Sequence, residues 1–206
     1  SADDDQFGVS SSGTVTAYGS TLQTFEVVSG GGGSDRLQGD NATNESFTIG
    51  ATGVSVGGVS GSFVSFEVLS GGNGSDLLIV PSAVGGSTMW TISRANGGEV
   101  AGLSFSNIET LRGGSGDDSF AILPSGSVAR VEGVSGRDCL DYSAFDASVS
   151  VNLKAQTGTG LGSLVGILAV RGGRGADQLT GNGGHELLIG GDGDDTLDCG
   201  EGNDTL

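Results

Sequence analysis

Four acidic residues recur at nine-residue spacing near the end of the chain: Asp177, Glu186, Asp195 and Asp204. Each is the sixth residue of a block: GGRGADQLT (172–180), GNGGHELLI (181–189), GGDGDDTLD (190–198) and CGEGNDTL (199–206). The fourth position is always glycine, and the eighth is always leucine: Leu179, Leu188, Leu197 and Leu206. Glycines at this spacing allow a tight turn with φ > 0 and close backbone approach. The acid then stands at the turn's exit, and the next three residues form a short strand whose leucine points inward. Two blocks make one coil of about eighteen residues, so equivalent residues stack roughly 4.8 Å apart. Asp177 therefore faces Asp195, and Glu186 faces Asp204 on the opposite edge. Carboxylates stacked this closely repel and need a cation between them. A hard dication with about 6–8 oxygen ligands suits them, because turn carbonyls complete its shell. Ca²⁺ is the expected ion.

The block resembles the GGxGxDxUx nonapeptide of RTX proteins, the calcium-binding parallel β-roll of secreted bacterial proteins. The resemblance implies that Asp177, Asp195 and Asp204 bind Ca²⁺ through their side chains and the glycine turns through their carbonyls. Glu186 takes the equivalent place with one methylene more, and His185 stands where the family prefers Asn or Asp. The motif is most specific in 172–206 and around 70–76 and 112–118. The middle segment, Leu140–Phe145 and Val149–Leu153, is similar to linker strands between such blocks in very large bacterial surface proteins. The implied location is extracellular, secreted or on the cell surface.

Residues 1–170 repeat more slowly. Phe25–Asp35, Phe66–Asp76 and Ile108–Asp118 align, which places acidic residues at 35, 76 and 118, spaced 41 and 42. Alternating apolar and small polar residues follow each turn, as in Phe47–Ile49, Val54–Val59, Trp90–Ile92 and Val100–Phe105, and read as half-buried strands. About forty residues make two coils of about twenty. Asp118 to Asp138 is 20 residues, one coil, and Asp138 to Asp177 is 39, two coils. Asp5 to Asp35 is 30, which fits no whole number of coils. Asp118 with Asp138 is a second candidate calcium site. Asp35 and Asp76 lack a same-side partner one coil away and read as structural turns. Glu26, Glu67 and Glu109 read as solvated strand positions.

The expected fold is all-β: a right-handed parallel β-roll or β-helix of about ten coils, roughly 50 Å long at the usual strand spacing. A long-repeat region spans 1–170 and a nonapeptide β-roll 171–206, in one continuous stack. The composition agrees, with 42 glycines and 2 prolines among 206 residues, which favours turns and short strands over helix. The net charge of −17 repels nucleic acid and anionic membranes and makes cation-driven folding natural. No run is long enough to span a bilayer. Both ends fall inside a motif, so the chain reads as a segment of a longer protein. Cys139 and Cys199 lie several coils apart, beyond disulfide reach.

Catalysis finds little support. His185 is the one histidine and sits in a turn, and there is no HExxH, CxxC or P-loop. The arginines beside glycine turns read as offsets to carboxylate repulsion, and Trp90, Tyr18 and Tyr142 as core or cap residues. A structural, calcium-stabilised segment of an adhesin, surface-layer or matrix-fibre protein is the expected function, not an enzyme. Its expected partners are calcium, copies of itself and surface glycans. The alternatives are a secretion and folding module of a larger secreted enzyme, and a carbohydrate-binding or lyase β-helix.

Overall fold

Alternation of buried and exposed residues builds strands throughout the chain. The computed structural model describes residues 5–9, 15–17, 20–22, 27–50, 53–57, 62–81 and 86–206. The strands of the first half are β1 (Gln6–Val9), β2 (Val15–Ala17), β3 (Ser20–Leu22), β4 (Val27–Ser29), β5 (Arg36–Gly39), β6 (Ser46–Gly50), β7 (Gly53–Val56), β8 (Ser62–Val64), β9 (Val68–Ser70) and β10 (Leu77–Ile79). Next come β11 (Met89–Arg94), β12 (Gly97–Val100), β13 (Leu103–Ser106), β14 (Thr110–Arg112), β15 (Ser119–Ile122), β16 (Val128–Glu132) and β17 (Asp138–Asp141). The last are β18 (Ser150–Asn152), β19 (Thr157–Gly158), β20 (Leu161–Val165), β21 (Ile167–Arg171), β22 (Gln178–Thr180), β23 (Leu187–Ile189) and β24 (Thr196–Asp198). No helix occurs among the described residues, so none is long and apolar enough to cross a membrane.

These strands form two sheets of twelve. At the usual strand spacing, twelve strands span about 50 Å. In the last part the chain alternates between sheets strand by strand, and neighbours pair in parallel. Leu179 is in register with Val151 and Leu197, and Val170 with Leu140 and Leu188. The inward leucines of the nonapeptides thus continue columns that begin far upstream. One column runs Trp90, Phe120, Leu140, Val170, Leu188, all at most 1% exposed. Trp90 stacks on Phe120 with ring centroids 5.5 Å apart and meets Phe105 edge-on at 6.3 Å. Full burial of each such side chain is worth about 1.5–3 kcal/mol, so the columns are the main cohesive element.

A plain parallel solenoid does not describe the rest of the stack. Four three-stranded antiparallel meanders interrupt it: β1–β2–β3 and β11–β12–β13 in one sheet, β6–β7–β8 and β18–β19–β20 in the other. Each of β11–β12–β13 and β18–β19–β20 starts two strands ahead in the stack and steps back, so that its own second and third strands fill the interval. Two meanders per sheet keep the sheets equal.

The meanders explain the long intervals. From Asp35 to Asp76 the chain crosses between sheets three times, because β6, β7 and β8 count as one visit. An odd number of crossings puts the next turn on the opposite edge. Asp35 and Asp118 therefore precede strands of one sheet, and Asp76 precedes a strand of the other. The same count separates Asp138 from Asp177, so the expected same-side alignment at 39 residues does not hold. The 30-residue interval from Asp5 to Asp35 crosses only twice. It pairs β1 directly with β5, with the meander and β4 taking up the excess residues.

Candidate metal centre

The repeat turns from Asp35 to Glu186 carry their acids inward, and Asp195 and Asp204 are half-buried. Asp35, Asp76, Asp138 and Glu186 are fully buried, and Asp118 and Asp177 nearly so. In the Asp118, Asp177 and Glu186 turns the carboxyl folds back over its own turn and accepts a main-chain hydrogen bond there. Gly114 N–H donates to Asp118 Oδ2 at 2.7 Å, Gly173 N–H to Asp177 Oδ2 at 2.7 Å, and Asn182 N–H to Glu186 Oε2 at 3.2 Å. The first glycine of the turn makes room for this. A Cβ on Gly172 would lie 2.2 Å from Asp177 Oδ2, and one on Gly190 2.1 Å from Asp195 Oδ2.

The other carboxylate oxygen reaches the neighbouring turn. Asp177 N–H donates to Asp195 Oδ1 and Glu186 N–H to Asp204 Oδ1, each at 2.9 Å. Asp118 N–H donates to Asp138 Oδ1 at 2.8 Å. The expected neighbours Asp177/Asp195, Glu186/Asp204 and Asp118/Asp138 are therefore brought together as pairs, on the edges the spacing predicts. Two ladders continue downwards: Val149 N–H donates to Asp177 Oδ1, and Thr88 N–H to Asp118 Oδ1.

The front half repeats this arrangement with residues the spacing does not mark. Asp5 N–H donates to Asp35 Oδ1, and Asp35 N–H to Glu67 Oε2. On the other edge Glu45 N–H donates to Asp76 Oδ1, and Asp76 N–H to Glu109 Oε2. Glu67, which is exposed as expected, and Glu109, which is half-buried, are thus also ladder acceptors, placed just ahead of β9 and β14. Glu26 lies outside the described residues, as does Tyr18. Asp35 and Asp76 do have same-side neighbours, supplied by the meanders. These partners are separated by 30 to 33 residues, and a search at that spacing would have found both ladders.

The donor set suits a hard cation. Every side chain in the ladders offers oxygen only, and Asp35 Oδ2, Glu45 Oε2, Asp76 Oδ2 and Asp138 Oδ2 are buried without a hydrogen-bond partner. Burial pushes the Asp138 carboxyl up to about 6, with Asp118 and Asp117 adding like charge, against the hydrogen bond from Asp118 N–H. Burial likewise pushes Asp76 up to about 7, with Glu45 and Glu109 adding like charge. A dication in the turns would relieve both terms. Among the described residues no three acidic, histidine or cysteine side chains converge on one point. An ion here would have to take one or two carboxylates from stacked turns and complete its shell with main-chain carbonyls. Those carbonyls abut the facing turn: a Cβ on Gly191 would lie 2.1 Å from Gly173 O, and one on Gly193 2.4 Å from Gly175 O.

Side chains set aside for catalysis fall elsewhere. His185 is exposed, and its Nδ1 accepts from Asn203 N–H at 3.1 Å. Cys139 and Cys199 are free thiols. Tyr142 is core, and its hydroxyl donates to Thr159 O at 2.8 Å. Arg174 meets Asp146 at 2.8 Å on the surface, and Arg112 and Arg130 share Glu132 on the outer sheet face.

Stacked glycine turns with acids laddered along both edges define a repeat architecture. The family model of the RTX calcium-binding nonapeptide repeat matches residues 25–44, 105–121 and 171–206, in four copies. Over these residues the chain is similar to RTX calcium-binding nonapeptide repeats. The match takes in the Asp35 and Asp118 turns as well as the C-terminal blocks. No curated protein matches the chain.

Proposed function

We propose that this chain is a calcium-stabilised structural segment of an extracellular protein, with Ca²⁺ held between stacked turns at Asp177/Asp195, Glu186/Asp204 and Asp118/Asp138. The observation that carries this reading is the ladder itself: buried carboxylates repeat along both edges, and no described ion pair offsets them there. An adhesin, surface-layer or matrix-fibre role suits a stack whose function is mechanical, and the segment is not an enzyme. The mechanism is linkage. Calcium binds the folded turns and not the unfolded chain, so free calcium above its dissociation constant stabilises the fold. Low calcium inside the cell leaves the chain unfolded for export, and higher calcium outside folds it.

Far-ultraviolet circular dichroism during a calcium titration of metal-stripped protein tests this. The expected result is a cooperative gain of β signal, reversed by chelator and not reproduced by magnesium. A β spectrum that is unchanged in chelator would show that the stack stands without metal and would remove the support for these sites.

A further inference from the structure

On the outer face of the sheet that holds β14, β16 and β20, Arg112, Glu132 and Val165 lie in one cross-strand row, and Arg130 and Ser163 in the next. Glu132 binds both arginines side-on: Arg112 Nε reaches Oε2 at 2.5 Å and Arg130 Nε reaches Oε1 at 2.6 Å. Burial opposes ionisation of Glu132, but the hydrogen bonds from Arg112 and Arg130 outweigh it and hold its carboxyl below the ordinary range. One fixed negative charge thus holds two guanidinium groups together, and the patch is net positive within a chain of net charge −17. Both arginine side chains remain about 40% exposed.

Beside them is a shallow depression of about 220 Å³, lined by Arg130, Glu132, Val134, Val165 and Gly166. Val134 is the anomaly there. It fills the second position of a repeat turn, where Gly31, Gly72, Gly191 and Gly200 adopt positive φ and Gly114, Gly173 and Asn182 do not. Val134 adopts φ +82° in their place. A β-branched residue is strained in that region. Its side chain is 58% exposed and so gains little burial in return. The turn geometry holds this φ, and it leaves a strained apolar side chain in solvent at the edge of the depression.

We propose that Arg112, Arg130 and the Val134–Val165 ledge bind a uronate: a sugar ring carrying a carboxylate, within an acidic polysaccharide. The guanidinium groups match a carboxylate in charge and in planar geometry. The two valines match the C–H face of a sugar ring. The depression is smaller than a pocket for a drug-sized ligand, and it accommodates one ring while the polymer continues across the open sheet face. No bond is made or broken.

The test uses the full chain in calcium and trigalacturonate as probe, followed by the methyl resonances of Val134 and Val165. Galactotriose, which lacks the carboxylates, and a sulfated galactotriose are run beside it. Saturable shifts with trigalacturonate and none with galactotriose are expected. Arg130→Gln should weaken binding by about tenfold or more, the loss of one charge-assisted hydrogen-bond set. Val134→Gly separates binding from folding. Glycine relieves the strain and raises the melting temperature by roughly 3 °C, yet it removes the apolar ledge and weakens binding severalfold. Equal affinity in Val134→Gly, or no shifts with trigalacturonate, overturns the site. Preference for the sulfated sugar overturns the uronate assignment. Loss of β structure in calcium would be a failure of the calcium reading, and circular dichroism reports it separately.

Discussion

Burial holds the Asp76 carboxyl away from water, and Glu45 and Glu109 add negative charge beside it, so its pKa rises to about 7. Its unfolded value is near 3.8, so the folded state binds the proton more tightly than the unfolded state does. The sign follows by linkage: this contribution to stability is fully present below about 3.8 and is lost as pH rises through about 7. Metal-stripped protein is therefore expected to have a higher urea midpoint at pH 5 than at pH 8. Asp76→Asn should flatten that dependence, because an amide keeps an oxygen for Glu45 N–H and carries no charge to desolvate. A midpoint that is flat in the parent chain, or equally steep in the variant, would sink the assignment. Asp138, pushed up to about 6 by burial, acts in the same direction and leaves a residual slope.

Turns are the elements on which the edges depend, and two glycines distinguish their conformational role from their stacking role. Gly102, at the tip of the β12–β13 hairpin, has φ +81° and open space where a Cβ would go. Gly191 has φ +110°, and a Cβ there would lie 2.1 Å from Gly173 O in the turn below. Gly102→Ala should cost about 1–2 kcal/mol from left-handed strain alone. Gly191→Ala carries similar strain and must also push two turns apart, so its loss should be clearly larger and its stabilisation by calcium smaller. Urea midpoints with and without calcium measure both, and equal losses would contradict turn stacking as the basis of the site. These turns also mark what was legible in advance. Asp177, Glu186, Asp195 and Asp204 could be paired by eye because each coil there visits each sheet once, so neighbours in space are 18 apart in sequence. Asp118 and Asp138 were legible for the same reason, at 20. Glu45, Glu67 and Glu109 were not. A meander alternates apolar and polar residues just as coil strands do, so β6–β7–β8 and β11–β12–β13 read as extra coils. Their step back moves ladder partners to 30–33 residues, a spacing that the 18–20-residue coil period does not suggest.

At the scale of the whole molecule, 25 acidic residues stand against 8 basic ones, and the stacked ladders add close repulsion along the edges. Two kinds of relief are physically distinct. Monovalent salt screens exposed charges, with a Debye length falling from about 10 Å at 0.1 M to about 3 Å at 1 M. It does little for carboxylates that are buried, as Asp35, Glu45, Asp76, Asp118, Asp138, Asp177 and Glu186 are. Calcium in the turns acts on those directly. Thermal unfolding of metal-stripped protein across a sodium chloride series should therefore show a small, gradual rise in midpoint. Millimolar calcium at constant ionic strength should give a much larger rise, by the logarithm of its concentration over the dissociation constant. The two should also differ in where they act. Calcium should slow amide exchange most at Asp118, Asp177 and Glu186, whose N–H groups donate to the next acid in their ladder. Salt should slow exchange evenly. If 1 M sodium chloride reproduced the calcium midpoint and its exchange pattern, diffuse repulsion would be the whole effect, and the edges would be charged but not metal-binding.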